Sequence, residues 1–263
     1  MFTDSAWRNE FGSLMRLEAG EGGRLRGLYR STTGASGDYP VVGFIEPGAT
    51  APGRGRAMAL AISWRQLDDP VDEDGTHWVS GLCGQLMPAA AGGRMTLLHN
   101  LVVSTSDTPL HHLGFHLDKL AYDAMDEPDL PSARPAGRSG IAADHPLSGS
   151  WVLASDEPRM RLELQVTEHG EVLGIWNEAG IHPRHVPGEL RGFTDWLAPM
   201  PPLRSVALCG WSAQRRCAWN LSGWLEPGKA DLHLLQLCSY GTEYGDRYLQ
   251  TQVQSLHFHR PGG

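Results

Sequence analysis

The chain has 263 residues, of which 41% are hydrophobic and 20% charged, and its formal net charge is −8. That acidity argues against a nucleic-acid or anionic-membrane surface, which calls for clustered Lys and Arg. No apolar run approaches the roughly 20 residues of a membrane-spanning helix, and the length leaves room for two domains.

Glycine (32) and proline (18) punctuate short runs in which apolar and polar residues alternate. This is the pattern of an all-β chain with many short strands and frequent turns. The N-terminus has neither the basic n-region nor the apolar h-region of a secretory signal, so a cytoplasmic location is expected. The first distinctive segment is Trp7-Arg8-Asn9-Glu10-Phe11-Gly12-Ser13. A hairpin turn at Gly20-Glu21-Gly22-Gly23 leads to the second, Leu25-Arg26-Gly27-Leu28-Tyr29-Arg30-Ser31. Further strands are expected over 56–64 and 94–103, where period 2 sends alternate side chains to opposite faces. Residues 113–125 are short and poorly capped as a helix, and are read as another strand. Residues 126–146 are rich in Pro, Gly and charge and mark a linker between a domain at 1–125 and another at 147–263.

Beyond the linker the pattern restarts. Gly149-Ser150-Trp151 answers Ser5-Ala6-Trp7, and residues 172–178 answer 25–31. Residues 204–211 answer 56–64, and 220–225 answer 81–86, which reads as a degenerate internal repeat.

The segments at 7–13 and 25–34 resemble the opening of the avidin/streptavidin family, where a W-x-N-x-x-G-S strand and loop precede a G-x-Y-x-S strand. The resemblance implies two avidin-like up-and-down antiparallel β-barrels in tandem, packed as a pseudo-dimer. It also implies a ligand site in the first. Asn9 and Ser13 match the hooks for the ureido oxygen of biotin, with Tyr29 as the third member, and Ser31 matches the hydroxyl facing a ureido nitrogen. Ser80 falls where a Thr meets the thioether, and Asp118 aligns with the carboxylate that accepts from the other nitrogen. Of the family's four tryptophan walls Trp64 matches one. Leu82, His99 and Leu110 stand at the other three, unless a bulge slides Trp78 into the place of Leu82; Leu101 completes the expected lining. Three lost aromatic walls argue against very tight biotin binding. In the second repeat Leu153, Trp176 and Glu178 replace the Asn, Tyr and Ser, with Ser255 near the Asp position, although Trp211, Trp219 and Trp224 remain. That half is expected not to bind biotin and to lend a wall to the first site.

No phosphate loop, nucleophile elbow or metal-binding His motif is present, so neither cofactor nor metal is expected. Cys83, Cys209, Cys217 and Cys238 lack metal-ligand spacing and read as reduced core residues. His99 is the histidine expected to point into the cavity. The functional expectation is a small organic ligand with a carbonyl-like head, not biotin, held in the N-terminal calyx. It leans to cofactor-free cyclisation, isomerisation or rearrangement of a biosynthetic intermediate, with Asp118, His99 and Tyr29 as catalytic groups. A non-catalytic biotin binder is the alternative. The partners expected are the small molecule and the other barrel of the same chain, with further homo-oligomerisation left open.

Overall fold

The computed structural model describes residues 4–33, 36–48, 51–65, 78–87, 93–103, 115–126, 130, 140–155, 159–179, 187–195, 204–226, 228, 230–243 and 251–262. They form sixteen strands in two closed antiparallel barrels of eight. The first barrel is β1 (Ser5–Asn9), β2 (Leu14–Ala19), β3 (Arg24–Ser31), β4 (Gly37–Ile45), β5 (Arg56–Ser63), β6 (Trp78–Leu86), β7 (Arg94–Val103) and β8 (His116–Met125). It closes where β1 pairs β8, from Ala6↔Met125 to Asn9↔Tyr122. The second barrel is β9 (Gly149–Leu153), β10 (Arg159–Val166), β11 (Glu171–Ala179), β12 (Gly188–Thr194), β13 (Arg204–Ser212), β14 (Cys217–Glu226), β15 (Asp231–Tyr240) and β16 (Thr251–His259). It closes where β16 meets β9 through Phe258↔Leu153 and His259↔Val152. Full closure removes the free edges that would otherwise pair with other chains.

Local sequence explains the elements. The turn between β2 and β3 is a single 3₁₀ turn at Glu21–Gly23. Gly23 has φ 83° and lies against the Ile45 carbonyl, so a side chain there would clash. Residues 116–125 form a strand, because Leu120 and Tyr122 alternate inward while Leu117 and Lys119 stay exposed.

Strands β5, β6, β13 and β14 are buried along almost their whole length. Along β5, Met58, Leu60 and Ile62 fill the first barrel, while the small Ala57, Ala59 and Ala61 face the second barrel. Three cores result. One fills each barrel, and the third lies between them, with Val42, Phe44 and Val79 meeting Phe193, Ala207, Trp224 and Leu237. At the close approach of the two sheets, Gly81 leaves room for the Asn220 side chain, whose Nδ2 donates to Leu60 O at 3.1 Å. Gln85 and Thr242 exchange further hydrogen bonds at 2.9 Å. At the rim, Arg24 pairs with Glu189 and Arg216 with Glu46. Partly exposed pairs of this kind are worth ~0–1 kcal/mol each. Fully burying one Leu or Phe is worth about 1.5–3 kcal/mol, so the apolar layer dominates the docking.

The strand-by-strand order of the second barrel repeats that of the first. Gly84 opposite Leu97 and Gly223 opposite Leu234 fix the register, since each glycine sits against the next strand's backbone. By that register Trp176 stands at the Tyr29 position, Trp219 at Ser80, Gln236 at His99 and Gln254 at Asp118. This corrects the expectation for Ser255. Leu256 and Phe258 point into the barrel, which puts Gln254 on their face and Ser255 on the opposite one. Within residues 126–146, the end near the second barrel is tied down: Ile141 bridges Thr167, and Ala142 N donates to Val166 O at 2.8 Å.

Candidate ligand site

The first barrel holds a cavity of about 330 Å³ lined by Asn9, Phe11, Tyr29, Thr33, Ile62, Trp64, Leu82, His99, Asp118, Leu120 and Tyr122. This volume lies at the small end of the range for small-molecule sites, roughly 300–1,000 Å³. Its residues come from β1, β3, β5, β6, β7 and β8 and the turns beside β1, β3 and β5, with Asn9, Ile62 and Trp64 near strand ends and Leu82 and His99 deeper in the barrel.

The polar floor is built from β1, β3 and β8. Asn9 is buried and does two jobs. Its Oδ1 accepts from Phe11 N at 3.1 Å and Ser13 N at 2.8 Å, which shapes the β1–β2 turn. Its Nδ2 points the other way and donates to Tyr29 Oη at 3.3 Å. Burial pushes the Tyr29 phenol above its ordinary range, against the opposing pull of Ser13, Tyr122 and Asn9. Tyr122 is fully buried, and burial pushes its phenol well up. Its hydroxyl lies near Tyr29 and Asn9 yet closes no hydrogen bond of normal geometry. Both phenols are therefore neutral donors at physiological pH.

The opposite wall joins Trp64, Ser80 and His99. Trp64 Nε1 donates to Ser80 Oγ at 2.7 Å, and His99 Nε2 lies 2.7 Å from the same oxygen. The indole N–H can only donate, so Ser80 Oγ accepts from Trp64, and its remaining lone pair or its proton meets His99 Nε2 according to the imidazole tautomer. Desolvation lowers the His99 pKa to about 4, despite the opposing pull of Asp118, so the ring is neutral. Asp118 stands opposite His99 in register and at the exposed mouth, where its Oδ1 accepts from Lys119 N at 2.7 Å. Trp64 is braced edge-on by Tyr29 at 5.7 Å and by Tyr39 at 4.9 Å. Ile62, Leu82 and Leu120 supply the apolar remainder.

Of the residues expected from sequence, Asn9, Tyr29, Trp64, Leu82, His99 and Asp118 come together around this cavity. Others are placed differently. Ser13 is buried behind the floor, with its Oγ 3.5 Å from Thr32 Oγ1. Ser31 spends its hydroxyl on Thr33 O at 2.9 Å, and the Ser80 hydroxyl is consumed by Trp64 and His99. Leu101 does not reach the lining, and Leu110 lies outside the described residues. Trp78 does not displace Leu82, because β6 pairs β5 without a bulge from Ser63↔Val79 to Arg56↔Leu86.

Sequence reasoning missed Tyr122, Leu120, Ile62, Phe11 and Thr33. The first three had a signal. Leu120 and Tyr122 follow Asp118 at period 2, and Ile62 precedes Trp64 by two. Phe11 and Thr33 sit in turns, where no periodicity announces a direction.

Among the described residues, every one that lines the cavity belongs to the first barrel. At the corresponding place in the second barrel stand two buried indoles. Trp176 and Trp219 pack against each other there, with ring centroids 4.1 Å apart. Arg215 lies over Trp219 at 5.7 Å and pairs with the buried carboxylate of Glu178. Trp211 and Trp224 face the other barrel rather than this interior. The four cysteines are free and buried; desolvation pushes the Cys83 thiol up to about 12, whereas a hydrogen bond from Cys217 pulls the Cys238 thiol down.

Residues 1–106 match the model of the Avidin family. Among solved structures, the chain is similar to rhizavidin in complex with biotin, at 17% identity over 48% of this chain and 96% of that one, with a TM-score of 0.37. A second rhizavidin structure matches at 17% identity over 49% of this chain and 87% of that one, also with a TM-score of 0.37. No curated protein matches the chain.

Proposed function

We propose, from the match of residues 1–106 to the Avidin family model, that the N-terminal cavity binds a small organic molecule other than biotin by a carbonyl-like head. The observation that carries this reading is the Tyr122 hydroxyl, buried and unpartnered beside Asn9 Nδ2 and Tyr29 Oη at the cavity floor. Buried hydroxyls without a partner are costly unless a ligand or a water satisfies them. A carbonyl oxygen offers two lone pairs and suits this set of donors. Across the cavity stand the neutral His99 imidazole and, at the mouth, the acidic Asp118. A ligand with one acceptor at the floor and further polar atoms along its body fits better than one with a purely apolar middle.

Catalysis ranks below binding. His99 is held neutral with its Nε2 occupied by Ser80, and both phenols are held neutral. Asp118 alone would have to move a proton.

The test is calorimetric titration of the full chain with biotin and with a simple cyclic urea, repeated on Asn9→Asp. That substitution keeps the turn-forming acceptor and deletes the floor donor. We expect one cyclic-urea site per chain, weakened about tenfold or more in Asn9→Asp by loss of a buried hydrogen bond, and no submicromolar biotin binding. Submicromolar biotin binding would restore the plain biotin-binder reading. Two sites per chain, or urea binding indifferent to Asn9→Asp, would sink the single N-terminal site.

A further inference from the structure

The outer face of the second barrel carries a side-chain cluster that the ligand cavity does not use. It lies where β14, β15 and β16 run side by side. The registers place Trp224 opposite His233, His233 opposite His257, and Glu226 opposite Asp231. Period 2 puts Asp231 and His233 on one face of β15. The His233 and His257 rings stack at 4.4 Å with 10° between their planes. Trp224 stacks on His233 at 5.7 Å and is itself packed by Phe115 of the first barrel at 4.9 Å. Asp231 Oδ1 lies 3.4 Å from His257 Nε2, and Glu226 Oε1 lies 4.0 Å from His233 Nε2. One ligand atom from each of Asp231, His233 and His257 falls within 4.8 Å of the others.

We propose that Asp231, His233 and His257 form a site for a divalent transition-metal ion, of which Zn²⁺ suits the donors best. Two imidazoles and a carboxylate match its borderline-soft preference, whereas Ca²⁺ and Mg²⁺ want all-oxygen shells. Bonds of about 2.0–2.2 Å in tetrahedral geometry put ligand atoms roughly 3.3 Å apart. Reaching that distance requires the exposed His257 ring to turn out of its parallel stack and bring its nitrogen toward His233 and Asp231. The ring stack from Phe115 through Trp224 limits where His233 can turn, which lowers the ordering cost of capture. Glu226 is within reach as a fourth ligand, with water as the other choice. Sequence spacing hides the site, because its ligands lie on two consecutive strands and only their register sets His233 opposite His257.

The test is titration of tag-free full chain with Zn²⁺ against a chromogenic chelator, with His257→Ala, His233→Ala and Asp231→Asn alongside. We expect one strong equivalent per chain in the parent. Each variant should weaken it by about tenfold or more, since removing a ligand costs at least what removing a ligand's hydrogen-bond partner does. His257 is exposed, so His257→Ala should fold even where His233→Ala, beneath Trp224, does not; circular dichroism separates the cases. Absence of a strong equivalent in the parent overturns the proposal. So does a strong equivalent that survives His257→Ala in a folded protein.

Discussion

His99 shows how one side chain is governed by its surroundings. An exposed imidazole titrates near 6.5, but desolvation holds this one at about 4. Between those values the unfolded chain binds a proton that the folded chain refuses. Its contribution to stability is therefore complete above pH 6.5 and is lost as the pH falls toward 4. His145, also pushed down to about 4 by desolvation, with Arg204 adding to the effect, acts in the same window. Replacing His99 by Gln, the residue at the matching place in the second barrel, should make the acid limb of the melting temperature shallower between pH 6.5 and 4. Melting curves across that window are the check, and an unchanged limb would mean that the imidazole is not held neutral by burial.

At the scale of the element, β11 and β14 set the difference between the two barrel interiors. Both barrels share strand order and register, yet Tyr29 and Ser80 of the first are answered by Trp176 and Trp219 of the second. Two indoles stand in place of the smaller pair, and their contact adds ~0.5–1.5 kcal/mol beyond the buried area. The Glu178 carboxylate, buried nearby, is matched by Arg215 rather than left for a ligand. Truncating Trp219 to Ala should cost about 3–5 kcal/mol in urea denaturation, as for other buried tryptophans. A loss under about 1 kcal/mol would show that the pair is not tightly packed.

For the whole molecule, the layer between the barrels is a third core rather than a wet contact. It relies on small residues, with Ala57, Ala59 and Ala61 on one side and Ala207 and Ala218 on the other, and on Gly81 yielding to Asn220. An unpaired charge in such a layer is far costlier than a lost methyl group. Ala207→Arg should therefore part the barrels while leaving each one's strands intact. Solution X-ray scattering should report a larger radius of gyration and calorimetry a lower melting temperature. Unchanged scattering and melting would show that the layer does not hold the halves together.

Much of this was legible in the residues themselves. The alternation along 56–64 and 94–103, the turn glycines at 20–23, and the echo of Trp7 by Trp151 announce two strand-built halves, because period 2 and turn chemistry are local properties. The motif at 7–13 and 25–31 likewise marks Asn9 and Tyr29, which do meet across the cavity floor. What the chain could not reveal locally was direction and partnership. Ser13, Ser31 and Ser80 are hydroxyls of the right kind in the right strands, but whether each faces a ligand depends on which neighbour takes its proton. Tyr122 lies more than ninety residues from Tyr29 and joins it only when β8 closes against β1. Trp211, Trp219 and Trp224 look alike in sequence, yet one fills a barrel and two face the other. Inside or outside is a property of the closed sheet, set by register across strands that only tertiary structure brings together.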